Sequence, residues 1–282
     1  LLENSTLDIL FVCVPNYLAP EVTIAGLEKG LHVFCEKPPG RTVDEVKNVI
    51  KVEKKFPHLK LKYGFNHRYH GSVIKAKEIV DTKQFGDIIN FRGVYGKSNI
   101  VPFESGQWRS MKQFSGGGIL LDQGVHMLDM FRHFSGDFTE VKSFVSNNYW
   151  NHNVEDNVYA IMRDKQGRVA VLHSSATQWQ HSFRLEITFE SGFIELSGIL
   201  SSSKSYGQEM LLIVPKQEGS VVGSLTGTTT QYLEDTSWSD EINEFVELII
   251  EDKPVEKGNS NDALKVMILI EQIYNADDSW NE

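Results

Sequence analysis

Cysteine is nearly absent from this chain. Its 282 residues hold two, Cys13 and Cys35, each inside an apolar run that reads as a buried strand. That usage excludes a disulfide framework and fits a reducing compartment, so a cytoplasmic protein is expected. No apolar run is long enough to cross a bilayer, which excludes a membrane-spanning helix. Basic residues are fewer than acidic ones, 28 against 38, giving a formal net charge of -10. Because Lys and Arg are interspersed rather than gathered into stripes or tails, nucleic acid is not an expected partner. There is no internal repeat, low-complexity tract or visible targeting segment, although the chain opens on Leu1-Leu2-Glu3 rather than a methionine. The triplet Asn4-Ser5-Thr6 reads as a chance sequon. A hydrophobic share of 40% and a charged share of 23% are those of a globular protein, long enough here for two domains.

What is present begins with Asp8 to Val14 (DILFVCV), a nearly continuous apolar run stopped by Pro15-Asn16. It has the pattern of a central parallel strand buried on both faces. A helix over Pro20 to Lys29, a strand over Leu31 to Cys35, a helix over about Thr42 to Lys55 and a strand over Lys60 to Phe65 follow. This succession is half of a doubly wound α/β unit. A helix over Ser72 to Asp81 comes next. From Asp87 onward the runs Ile88 to Tyr95, Glu140 to Asn147, Asn157 to Arg163, Arg168 to Ser175, Ser182 to Phe189 and Phe193 to Leu196 alternate in character and are joined by short turns, the signature of a largely antiparallel sheet. Helices are expected over about Gly118 to Phe134, Asp240 to Glu251 and Asp262 to Asn275, and a mobile loop or hairpin over Gln217 to Thr230. The fold class is therefore α/β plus α+β: residues 1–64 form part of a parallel sheet, and residues 65–282 a domain with a large, mostly antiparallel open sheet. An open sheet leaves one face needing cover, so a homo-oligomer, dimer or tetramer, is expected, with Phe91, Tyr159 and Phe189 supplying the contact.

Three constellations can carry chemistry. Pro15-Asn16 stands at the carboxyl end of the first strand, where open α/β sheets place ligands, and is otherwise an inconsequential turn. In Cys35-Glu36-Lys37-Pro38-Pro39-Gly40 a lysine follows a buried strand and precedes proline, which restricts both residues, and a cis Lys37-Pro38 bond suits so tight a turn. Lys37 is either an ordinary exposed lysine or a rigidly held functional ammonium. Third, Gly116-Gly117-Gly118 leads into a helix on which Asp122, His126, Asp129 and His133 share one face. Such a stripe is a helix's wet side, an acid/base pair or a metal site. Gly124 within the helix and the triple glycine, which admits a close neighbour, weigh against the first. The absence of a His-Glu-x-x-His pattern and of clustered cysteines weighs against the last, so no metal is assigned. A carboxylate one turn from a histidine can orient it for proton transfer.

Together these segments resemble the glucose-fructose oxidoreductase and inositol dehydrogenase family, Gfo/Idh/MocA, over nearly the whole chain. The most specific matches are Gly30-Leu31-His32-Val33-Phe34-Cys35-Glu36-Lys37-Pro38 and Gly116-Gly117-Gly118 through Asp122-Gln123-Gly124-Val125-His126. Gly64-Phe65-Asn66-His67-Arg68-Tyr69, Trp108-Arg109, Val154-Glu155-Asp156 and Asp262-Ala263-Leu264-Lys265 support them. The resemblance implies a Rossmann-type cofactor domain followed by a substrate domain, and an NAD- or NADP-dependent dehydrogenase acting on a sugar, cyclitol or nucleotide-linked sugar. It implies a catalytic set of Lys37, Asp122 and His126, with His126 taking the hydroxyl proton, Asp122 positioning it and Lys37 holding substrate and nicotinamide. Pro15, Asn16, the Glu36 backbone, Lys37, Arg68, Trp108 and Arg109 become candidate cofactor contacts. A sugar-sensing protein without turnover and a nicotinamide-dependent glycosidase of the same fold are the alternatives. Two departures stand out. Ala19 and Pro20 occupy the place where relatives carry a histidine, and no Gly-x-Gly-x-x-Gly fingerprint precedes Asp8. The pyrophosphate-binding loop is thus expected upstream, in a segment of roughly 60 to 70 residues.

Overall fold

A computed structural model describes residues 7–98, 108–201, 205–216 and 226–280. The sequon Asn4-Ser5-Thr6 and most of the expected loop Gln217 to Thr230 lie outside the described residues. The first sheet holds β1 (Ile9–Val12), β2 (His32–Glu36) and β3 (Leu61–Gly64), all parallel, with Phe11 opposite Phe34 and Cys35 opposite Tyr63. The helices α1 (Ala19–Glu28) and α2 (Val43–Glu53) connect them. Thr42 caps α2, its hydroxyl accepting from the Glu45 amide at 3.3 Å, and Asp44 and Glu45 in the first turn favour the same end.

One expectation fails here. β1 stands at the sheet edge rather than at its centre, and among the described residues nothing pairs with its outer side. Phe11 is accordingly 44% exposed, and Cys13 falls past the strand and is exposed, whereas Cys35 is buried as expected.

A 3-10 turn (Asn66–Tyr69) and α3 (Gly71–Asp81) lead into the second sheet. Its strands are β4 (Ile88–Gly96), β5 (Phe138–Ser146), β6 (Asn157–Asp164), β7 (Val169–Ser175), β8 (Ser182–Phe189), β9 (Gly192–Ser197), β10 (Glu209–Pro215) and β11 (Thr228–Tyr232). Their order is β11-β10-β9-β8-β4-β7-β6-β5, antiparallel except where β4 meets β7. The short α4 (Lys112–Ser115) precedes a π-type turn (Leu120–Gly124) that continues as α5 (Val125–Ser135), and α6 (Ser237–Ile250) and α7 (Ser260–Asn275) follow the sheet. The fold class read from the sequence holds. The two strands it did not name, β10 and β11, pair antiparallel with each other; β10 ends before the stretch read as a mobile loop or hairpin, and β11 begins inside it at Thr228.

α5 lies on the inner face of the large sheet. A side chain at Gly93 would come within 2.7 Å of Met127 and Phe131, so the strand must be bare there. Period-2 alternation then divides β6 into buried Val158, Ala160 and Met162 and outward Tyr159 and Ile161. Phe91 and Phe189, expected on the outer face, are buried on the inner one at 1% and 3% exposure, because strand parity turns Phe91 onto Phe131 of α5 and Phe189 onto Phe85. The outer face instead shows Phe144, Tyr159, Ile161 and Val171, with the Tyr159 ring stacked on His173. α6 packs on the 66–69 turn and α7 on both α2 and α5, tying the two sheets together. Among the described residues no helix is long and apolar enough to cross a membrane.

Candidate active site

The turns after β1 and β2 meet the helix segment 120–135 at a cleft of about 460 Å³. Pro15, Asn16, Glu36, Lys37, Trp108, Arg109 and Asp122 all line it. Parallel strands running into their loops from the same side bring these distant residues together. The Lys37-Pro38 bond is cis. Lys37 Nζ donates to the Asp122 carbonyl at 2.5 Å and lies 4.0 Å from its carboxylate. Arg109 Nε stands 3.9 Å from the same carboxylate oxygen, and its guanidinium lies 4.3 Å over the Trp108 ring. Asn16 ties its turn to α4, Nδ2 donating to the Ser115 carbonyl at 2.7 Å. Burial pushes the Glu36 carboxyl up, against the pull of Lys37. For Asp122, burial acts upward but Lys37, Lys97, Arg109 and a hydrogen bond from Gln123 outweigh it and hold the carboxyl below its usual range.

The glycine run serves the backbone. α4 ends at Gly116 with φ of 83°, and a side chain at Gly118 would sit 2.1 Å from the Glu155 carbonyl. Glu155 is 1% exposed; its carboxylate accepts from the amides of Gly118 at 2.7 Å and Leu120 at 2.9 Å and from Tyr274 Oη at 2.8 Å. That satisfies amides left orphaned at a helix start and fixes the segment that carries Asp122.

The polar stripe is not the helix's wet side. His126 is 4% and Asp129 1% exposed. Arg68 seals one end: Nε and Nη2 donate to the Asp129 carboxylate at 2.8 and 2.5 Å, and Nη1 donates to Asp262 at 2.8 Å. Its guanidinium joins the 66–69 turn to α5 and α7 and does not line the cleft, where a cofactor contact was expected. His133, further along, is pushed by burial and by Arg68 to about 3. No hydrogen bond joins Asp122 to His126. The Asp122 carboxylate is drawn towards Lys37, Arg109 and Gln123, and among the described residues His126 Nδ1 is buried without a hydrogen-bond partner. The His126 ring instead stacks on His67, centroids 3.7 Å apart and planes 12° apart. Burial, then His67, Lys37, His70 and Lys97, press its imidazole well below the ordinary histidine value, so the ring is neutral at neutral pH.

Three residues at or near the cleft were given no role by the sequence. Trp238, at the start of α6, lines the cleft. Lys97 follows β4, with burial pushing its ammonium down, Asp122 opposing and Lys37 and Arg109 adding to the fall. The signal that singled out Lys37, a lysine at a buried strand's carboxyl end, was equally present in Tyr95-Gly96-Lys97. His67 sat within a recognised motif, but nothing local announces a stacking partner. Among the described residues no group of three or more His, Cys, Asp and Glu is placed to hold a metal ion.

Two family models match the chain: an oxidoreductase family model with an NAD-binding Rossmann fold over residues 1–62, and a GFO/IDH/MocA C-terminal domain over residues 73–195. Levoglucosan dehydrogenase of Pseudarthrobacter phenanthrenivorans is 32% identical over 149 residues, 52% of this chain and 37% of the relative. D-glucoside 3-dehydrogenase of Escherichia coli is 29% identical over 60% of this chain and 52% of its own length. Myo-inositol 2-dehydrogenase of Thermotoga maritima is 27% identical over 69% and 58%. The chain thus spans about a third to three fifths of these relatives. Levoglucosan dehydrogenase in complex with NADH and levoglucosan superposes with a TM-score of 0.86 at 22% identity, over 98% of this chain and 79% of that one. Aldose-aldose oxidoreductase from Caulobacter crescentus, complexed with glycerol, gives 0.82 at 24% identity, over 98% and 78%. These two likenesses establish the shared fold.

Proposed function

The chain belongs to the Gfo/Idh/MocA family of oxidoreductases, and from that premise we propose that it forms the greater part of a sugar or polyol dehydrogenase. The reaction moves a hydride between a secondary alcohol of a sugar, cyclitol or nucleotide-linked sugar and NAD or NADP. The observation that carries this reading is the meeting of Lys37 and Asp122 at the cleft; the buried, neutral His126 lies one turn beyond Asp122 on the same helix segment, behind the residues that line the cleft.

The residues present fit the nicotinamide end of such a cofactor. The cleft lies beyond the carboxyl ends of β1 and β2, and its wall carries the Lys37 ammonium and the Trp108 ring with Arg109 over it. Pro15, Asn16, the Glu36 backbone, Trp108 and Arg109 would hold it there, and when bound it supplies the hydride acceptor. Lys37 Nζ holds the substrate hydroxyl oxygen, and His126 accepts the hydroxyl proton as the alcohol becomes a carbonyl. Asp122 anchors the Lys37 ammonium and balances the cations around the site. We assign residues 1–64 to the cofactor-binding half and 65–282 to the substrate and assembly half, in a protein of a reducing compartment such as the cytoplasm. The apolar outer face of the large sheet, with Phe144 78% and Ile161 55% exposed, is assigned to a homo-oligomer contact.

The test is a substrate screen of the full-length protein with NAD and NADP, read by the absorbance of reduced nicotinamide. Substrate-dependent reduction that collapses in Lys37→Ala is expected. Sugar and cofactor binding with no turnover would establish a sensor instead, and release of free sugar from a glycoside without net reduced cofactor would establish a glycosidase.

A further inference from the structure

His67 is 7% exposed and ends a hydrogen-bonded chain whose direction is fixed from its far end. A carboxylate can only accept, and Asp235 accepts from Ser237 Oγ at 2.7 Å. With its one proton committed there, the Ser237 oxygen accepts from Asn66 Nδ2 at 3.2 Å. The Asn66 amide group is thereby oriented, and its carbonyl oxygen faces His67 Nδ1 at 3.1 Å. Nδ1 must therefore carry the ring proton. Nε2 is left with a lone pair, and Tyr95 Oη donates to it at 3.1 Å. The imidazole is held from both sides, by the turn that precedes α3 and by β4, as a neutral ring of one tautomer.

Against this fixed face lies His126. Among the described residues its Nδ1 has no hydrogen-bond partner, and Asp122 is turned elsewhere, so none of them supplies the usual device for aiming a histidine, a carboxylate or carbonyl on its second nitrogen. The stack at 3.7 Å and 12° takes that place. We infer that His67 is a positioning residue, a tautomer-locked neutral imidazole whose face sets the ring plane of His126. This rests on the reading of His126 as the proton acceptor. Face-to-face stacking also offers no in-plane path between the two rings, and the His67 lone pair is occupied by Tyr95, so a proton taken up by His126 is not passed to His67.

The experiment compares His67→Leu with His67→Phe in the full-length protein. His67→Leu removes the flat face and lowers kcat by about 10- to 100-fold, the scale of a misaimed catalytic group, with KM for the sugar and cofactor affinity little changed. His67→Phe restores a flat face and recovers most of the loss. Wild-type kcat in a folded His67→Leu protein, or a Phe variant no better than Leu, overturns the inference. Nitrogen-15 NMR of the wild-type histidines decides it even if the Leu variant does not fold: His67 is expected as the Nδ1–H tautomer at neutral pH, and an Nε2–H or charged ring overturns the inference. His126→Ala keeps the two readings apart. Undiminished turnover there removes the base itself, whereas reduced turnover beside an active His67→Leu removes only the stack.

Discussion

Charge is neutralised in two different ways on the two sides of the helix segment 120–135. On the cleft side, Lys37 and Arg109 stand 4.0 and 3.9 Å from the Asp122 carboxylate, at the limit of ion pairing. On the sealed side, Arg68 grips Asp129 at 2.5 Å and Asp262 at 2.8 Å, with its own side chain 5% exposed. A loose cluster open to solvent leaves hydrogen-bonding capacity for a ligand hydroxyl. A tight, dry one has none left and can only hold elements together. Both contain an Asp and a cation, so charge pattern alone does not separate site from strut; distance and burial do.

The largest effect that sharpens this contrast is expected from Arg68→Ala. It leaves Asp129 buried and unpaired, and urea unfolding should show a loss of about 3–5 kcal/mol. A loss below about 1 kcal/mol would make the sealed cluster no different from a surface pair. Lys37→Ala comes next: it should lower kcat by about 10²-fold and raise KM for the sugar while leaving the melting temperature close to wild type. A separate effect, growing with each pH unit, is expected from mild acid. The unfolded-state value for histidine is about 6.5. His67 and His126 are pushed well below theirs by burial, and His133 to about 3, so the unfolded chain binds more protons below that pH. Stability should therefore be full above pH ~6.5 and fall as pH drops, by up to about 1.4 kcal/mol per pH unit for each histidine. Thermal melts at neutral and mildly acidic pH check this, and an unchanged melt would contradict the burial of the stripe. Smallest is Asp122→Asn, expected to cost less than about 1 kcal/mol of stability while lowering turnover less than Lys37→Ala does.

Local pattern carried much of the fold. The apolar run at β1, the Glu36-Lys37-Pro38 turn and the alternating strands β4 to β9 each announce themselves within a few residues. Pattern failed where a neighbour distant in sequence decides. Phe11 reads as central because its run is apolar, yet exposure depends on what pairs with β1. Phe91 and Phe189 read as candidates for the outer face, but which parity faces in is set by α5, through the bare strand at Gly93. The stripe Asp122, His126, Asp129, His133 was visible as a stripe. Its burial was not, because Arg68, 61 residues before Asp129, supplies the charge that makes burial tolerable. His67 shows the same limit, since its tautomer is settled by Asp235 and Tyr95.

The central claim is that the buried His126 imidazole, on the helix segment that carries both Asp122 and Asp129, takes the proton of the reacting hydroxyl. Steady-state turnover of the full-length His126→Ala protein, measured alongside cofactor titration, tests it most directly. Positioned proton transfer is worth about 10²- to 10⁴-fold, so kcat should fall by that amount while cofactor affinity stays near wild type. Near wild-type turnover, or a loss wholly explained by weaker cofactor binding, would contradict it.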